Sequence, residues 1–70
     1  MRLTVNGETG DWPVRSLVDL VAEFLIRAGQ EPEATVATAW NRLFVGKRQR
    51  AALLLSEDDE VEILVPMQGG

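Results

Sequence analysis

The clearest periodicity in this chain is helical. Leu17, Leu20, Val21, Phe24 and Leu25 recur at spacings of three and four, an apolar stripe with Asp19, Glu23 and Arg27 on the opposite side. Ser16 stands where an N-cap would, and Asp19, three residues on, takes the place of the longer acid of a capping box. Gly29 offers a left-handed stop. A helix over residues 16–28 is predicted. One amphipathic helix in 70 residues must bury its stripe against something else, and most of the remaining chain reads as short strands and turns.

Leu3 and Val5 alternate with Arg2 and Thr4, a period of two that marks a half-buried strand. Asn6-Gly7 is a strong signal for a two-residue hairpin turn. Residues 9–14 form the expected return strand, anchored by Trp12; Pro13 has no N–H for a ladder, so the strand lies at an edge or ends there. Val36, Thr38 and Trp40 share one face of a further strand, with Ala37 and Ala39 on the other. Leu43-Phe44-Val45 can pair as a strand, and residues 51–55 read equally as strand or helical turn. Val61-Glu62-Ile63-Leu64-Val65 is rich in branched residues and closes the series as a last strand, which Pro66 ends. Two strands, one helix, then two or three strands make an α+β layout, with one sheet packed on one helix. The expected core is Leu3, Val5, Leu17, Leu20, Val21, Phe24, Val61 and Ile63.

A chain this short supports one thin core. With no cysteine and no histidine, neither a disulfide nor a His- or Cys-ligated zinc can reinforce it. The same absence removes Ser-His and Cys-His nucleophilic pairs. The glycines are too scattered for a phosphate loop, and the acidic run at residues 57–60 lacks the ligand spacing of a calcium loop. No metal site and no catalytic residue are therefore expected. The formal net charge of −4 argues against nucleic acid, which needs a basic footprint. Four of the seven positive residues, Arg42, Lys47, Arg48 and Arg50, fall within nine positions, and five acids, Glu57, Asp58, Asp59, Glu60 and Glu62, fall within six. Each run reads either as a solvated turn or as a patch that docks a partner. No apolar stretch after Met1 resembles a signal sequence, and the longest apolar run, residues 51–55, is far below the roughly 20 residues of a membrane span. A cytoplasmic protein without membrane contact is expected.

The chain finishes Pro66-Met67-Gln68-Gly69-Gly70. At average glycine usage of about 7%, a terminal pair arises by chance about once in 200 chains, so a frayed tail is one reading. The other is chemical. Without Cβ atoms, Gly69 and Gly70 can thread a narrow channel and carry a terminal carboxylate to another protein's active centre. A carboxylate is a poor electrophile until it is joined to AMP, after which a sulfur or nitrogen nucleophile can displace the nucleotide.

At this point the sequence resembles the ThiS family of sulfur carriers, ubiquitin-like β-grasp proteins of thiamine biosynthesis. The resemblance spans essentially the whole chain. It is strongest at Ser16-Leu17-Val18-Asp19-Leu20-Val21 and from Asp59 to the diglycine. The middle departs from the family pattern: Asn41-Arg42 stands for Asn-Gly, Gly46-Lys47 for Pro-Arg, Arg50 for a Trp, and Asp58-Asp59 for Gly-Asp.

The resemblance implies a β-grasp domain over residues 1–65, its mixed sheet of four to five strands packed on one helix, and a flexible tail over residues 66–70. It implies that Gly70 is the site of adenylation and thiocarboxylate formation, with Gly69, Gln68 and Met67 setting the tail's reach. The implied partners are a ThiF-type adenylyltransferase that uses MgATP, a persulfide donor such as a cysteine desulfurase, and a ThiG-type thiazole synthase. No cofactor would be bound permanently, and the chain itself would be no enzyme. Arg42, Lys47, Arg48 and Arg50 are the candidate docking residues. Alternatives are a carrier for molybdopterin, tRNA thiolation or another sulfur pathway, a ubiquitin-like modifier that joins Gly70 to lysines, and an interaction domain with an inert tail.

Overall fold

The computed structural model describes residues 1–66. The expectations for Met67, Gln68, Gly69 and Gly70 lie outside the described residues.

Asn6 and Gly7 adopt φ angles of 51° and 83°, the left-handed pair that matches the twist of a tight hairpin. They join β1 (Arg2–Val5) to β2 (Glu8–Asp11). Regular pairing stops at Asp11, three residues short of the expected end at Val14. The Trp12 N–H still donates to the Met1 carbonyl at 2.8 Å, and the terminal ammonium donates back to the Trp12 carbonyl at 2.7 Å. Helix α1 (Leu17–Arg27) follows, with the Ser16 hydroxyl accepting from the Asp19 N–H at 3.2 Å. Gly29, at φ 70°, takes the chain away from its end. Then come β3 (Ala37–Trp40), β4 (Leu43–Val45), a short 3-10 turn (Lys47–Gln49) and β5 (Glu60–Leu64).

The strands form one five-stranded sheet in the order β2-β1-β5-β3-β4. The central pair β1 and β5 is parallel, and the other three pairings are antiparallel. With one helix on one face, this is the ubiquitin-like β-grasp. β2 lies at an edge and ends before Pro13, which has no N–H for a ladder. The stretch 51–55 is neither regular strand nor helix: it is a turn followed by a single bridge from Leu54 to Ser16.

Leu3, Leu17, Leu20, Leu25, Val61 and Ile63 are at most 2% exposed and fill the space between α1 and the sheet. Val5 and Val21 are also buried, so seven of the eight expected core residues sit where periodicity put them. Phe24 is the exception. It is only half-buried, because the fully buried stripe runs Leu17, Leu20, Val21, Leu25, and Phe24 falls at its margin beside Trp12. Arg27 lies over the Trp12 ring, 4.0 Å from its centroid, and covers that end of the core.

The acidic run at residues 57–60 is largely committed to the fold. Glu57 accepts from the Arg2 N–H at 2.9 Å, and the Asp58 N–H donates to the Arg2 carbonyl at 2.7 Å. Asp59 accepts from Trp40 Nε1 at 2.8 Å, the Ser56 N–H at 2.8 Å and Asn41 Nδ2 at 3.2 Å. Partial burial pushes the Asp59 pKa up, but the donors from Trp40, Ser56 and Asn41 outweigh that, so the carboxyl titrates below its ordinary value. A depressed carboxyl stabilises the fold above its unfolded pKa, and that contribution is lost as pH falls through the folded value. Asp59→Ala should therefore cost about 1–3 kcal/mol near neutral pH. The deficit should shrink in acid, where the parent's Asp59 is protonated as well. Urea midpoints of both proteins at about pH 7 and about pH 3 check this, and an undiminished gap in acid would contradict it.

Candidate functional site

The place where β5 releases the chain is built by three neighbours. β1 pairs with β5 in parallel through Thr4 with Glu60 and Val5 with Val61, and β3 pairs on the other side up to Ala37 with Leu64. Asn6 extends the first contact beyond the strand. Its Nδ2 donates to the Ile63 carbonyl at 3.1 Å, its Oδ1 accepts from the Ile63 N–H at 2.8 Å, and its own N–H donates to the Val61 carbonyl at 2.9 Å. An amide side chain is suited to this because it offers a donor and an acceptor side by side. The sequence marks Asn6 as a turn residue; its grip on β5 depends on a residue 57 positions away, a pairing no local pattern reveals.

The middle surface divides differently from its charge run. Arg42, Lys47 and Arg48 are exposed. Arg42 sits in the β3–β4 turn with its Nε 4.0 Å from a Glu60 oxygen, and Lys47 and Arg48 lie on the 3-10 turn. Arg50 does not join them, which corrects its place among the docking candidates. It is 8% exposed, with Nε donating to Thr38 Oγ1 at 3.0 Å and Nη2 to the Val36 carbonyl at 2.8 Å. Thr38 Oγ1 in turn donates to the Val45 carbonyl at 2.8 Å. Arg50 thus spends its guanidinium on neutral oxygens inside the fold and ties the segment after β4 to β3.

Asn41, Arg42 and Asp58 all have positive φ, 47°, 71° and 67°. Two of them, Arg42 and Asp58, stand where the family pattern has glycine. Glycine meets a left-handed backbone without steric cost, whereas a Cβ there costs about 1–2 kcal/mol. At both positions this chain holds a left-handed backbone with a residue that carries a Cβ.

Among the described residues there is no group of three or more acidic side chains placed to hold a metal ion. A groove of about 390 Å³ between β2 and the end of α1 is lined by Trp12, Phe24 and Arg27, with Glu8 and Asp11 at its rim. Arg27 is already engaged there with Trp12 and Glu23. After Pro66 the sequence continues through residues 67–70.

The model of the ThiS family matches residues 3–70. The chain belongs to the ThiS family of small sulfur carriers. A solved structure of a thiamine biosynthesis protein, ThiS from Geobacter metallireducens, is similar at 30% identity and a TM-score of 0.67, covering 100% of both chains. No curated protein matches. As a member of the ThiS family, the chain is a carrier and not a catalyst. No helix among the described residues is long and apolar enough to cross a membrane.

The two kinds of basic residue are separated by one comparison. Arg50→Ala should lower stability by about 1.5–3 kcal/mol, the scale of hydrogen bonds from a charged group. Reversing Lys47 and Arg48 to Glu should leave stability within about 0.5 kcal/mol and, if they meet a partner, slow association and flatten its salt dependence. Denaturation curves and stopped-flow binding read these two effects independently. Arg50→Ala as stable as the parent would contradict the structural role.

Proposed function

We propose that the chain carries sulfur for thiazole formation in thiamine biosynthesis on the carboxylate of Gly70. The observation that supports this most directly is that the family match runs through residue 70 and so includes the diglycine. The solved relative, a thiamine biosynthesis protein, is covered along its whole length as well. The body offers a compact sheet whose last strand is held at Ile63 by Asn6, and in this reading the reactive group belongs to the main chain.

In this reading a ThiF-type adenylyltransferase binds MgATP, and a Gly70 oxygen attacks the α-phosphorus with loss of pyrophosphate. The acyl adenylate is then an electrophile. The outer sulfur of a partner's persulfide, supplied by a donor such as a cysteine desulfurase, attacks the carbonyl carbon and displaces AMP. A thiol cleaves the resulting sulfur–sulfur bond and leaves the thiocarboxylate on Gly70. A ThiG-type thiazole synthase accepts the sulfur, and the carboxylate is restored. No step uses a side chain of the carrier, in keeping with a sequence that has neither His nor Cys.

Gly69, Gln68 and Met67 set the reach. Deleting Gly70 shortens it by about 3.3–3.6 Å, and Gly69→Val keeps the length while adding a branched side chain to a thin tail. Both variants should fold as the parent does, and both should lose about 100-fold or more in adenylation, since placing a reacting group about 1 Å out can cost that much. Pyrophosphate exchange catalysed by the cognate adenylyltransferase measures it. If the Gly70-deleted protein exchanges as fast as the parent, the reading fails.

A further inference from the structure

β2 is an edge of the sheet, paired on one side only. The Thr4 N–H donates toward β5, to the Asp59 carbonyl at 3.0 Å, so Thr4 and its partner Thr9 exchange no backbone hydrogen bonds. Alternation along the strand then turns the N–H and carbonyl groups of Thr9 and Asp11 outward, away from β1. Between this edge and the last turns of α1 runs the groove of about 390 Å³ lined by Gly10, Trp12, Phe24 and Arg27. Gly10 is its most informative residue. Its φ is not left-handed, and a Cβ there would meet nothing within 4 Å. Neither backbone conformation nor packing in this fold calls for glycine, which weakens a strand and often marks the close approach of a ligand or another backbone. Phe24, half-buried at the margin of the core, lines the same space. Glu8 and Asp11 are exposed and make no ion pair among the described residues. The two neighbouring arginines are taken: Arg27 by Trp12 and Glu23, and Arg2, opposite Asp11, by Asp58.

From these observations we infer that β2 accepts a sixth strand: an extended apolar segment of another protein with basic flanks. It pairs with the Thr9 and Asp11 backbone, lays one apolar side chain over Gly10 against Phe24, and sets its cations beside Glu8 and Asp11. Strand addition draws affinity from main-chain hydrogen bonds and specificity from the pockets that alternate side chains meet. Gly10 pairs with the buried Leu3 and so lies on the α1 side of the sheet, where the missing side chain leaves the groove open to the added strand. Charge selects the occupant. An edge with two uncompensated acids repels an acidic strand and is complementary to a cationic one. A second copy presenting its own β2 would set acid against acid. β2 lies two places from β5 in the sheet order, so this site is separate from the strand that leads to Gly70. The inference does not depend on the role proposed for that residue.

The probe is a capped synthetic peptide, Lys-Lys-Val-Ile-Val-Lys-Lys, titrated into the isotope-labelled full chain and followed by amide NMR. Shifts should centre on residues 8–12 and 24–28. Solvent exchange of the Thr9 and Asp11 amides should slow by about 10-fold at a peptide concentration about ten times the Kd. A peptide with glutamates in place of the lysines should bind about 10-fold more weakly or worse. Gly10→Val fills the groove with a residue that strands favour, so it should melt no lower than the parent and lose about 10-fold or more in affinity. Glu8→Lys, a change at an exposed side chain, should keep the fold and weaken binding by about 3–10-fold. A folded Gly10→Val that binds as the parent does overturns the proposal, as do shifts centred elsewhere or equal binding of the glutamate peptide. Unaltered affinity in Glu8→Lys overturns it whatever Gly10→Val does. Self-association of the parent that Gly10→Val abolishes would make the occupant a second copy and overturn it too.

Discussion

The fold depends on the parallel pairing of its first and last strands. β1 and β5 share only two paired positions, Thr4 with Glu60 and Val5 with Val61, yet they form the centre of the sheet and carry four of its most buried side chains, Leu3, Val5, Val61 and Ile63. So short a ladder needs support at both ends. At one end the 57–60 turn grips Arg2 through Glu57 and the Asp58 N–H. At the other, Asn6 holds both backbone groups of Ile63. Asp59 then ties this turn to Trp40 and Asn41, so the β3–β4 hairpin is fixed to the same point. In a chain with no disulfide available, these polar contacts take the place of a covalent staple.

That arrangement suits the proposed function, in which none of the carrier's side chains takes part in the reaction. The last strand is at once the middle of the core and the root of the tail. Asn6 holds Ile63 through both of its backbone groups, one residue before the end of β5. In the proposed function the sheet supplies position, while the electrophile is a main-chain carboxyl group.

The helix, the Asn6-Gly7 hairpin, the edge position of β2 and most of the core were legible in the sequence because each has a local signature: a period of 3.6, a left-handed dipeptide, a proline, a period of two. The family was legible as well, on the helix start at residues 16–21 and the ending from Asp59 onward, and the family match spans both. What stayed hidden depends on partners distant in sequence. Arg50 looked like its basic neighbours, and only the approach of Thr38 and Val36 shows that its charge is turned inward. The acids at residues 57–60 read as a solvated turn or a docking patch, although Glu57 accepts from the Arg2 N–H and Asp59 from Trp40, Ser56 and Asn41. Phe24 shared the helical stripe but lies at its edge, where the narrow sheet offers half a burial. Phe44 was legible as part of a strand, but its outward direction follows from a register with Ala39 that no short window contains.

The central claim is that sulfur travels on the end of this chain. Intact-mass measurement of the carrier after incubation with MgATP, its adenylyltransferase and a persulfide donor tests it most directly. The mass should rise by the difference between one sulfur and one oxygen atom, with the change confined to the C-terminal peptide and assigned to Gly70. An unchanged mass under conditions where pyrophosphate is released, or lysine-linked conjugates in place of a thiocarboxylate, would contradict the account.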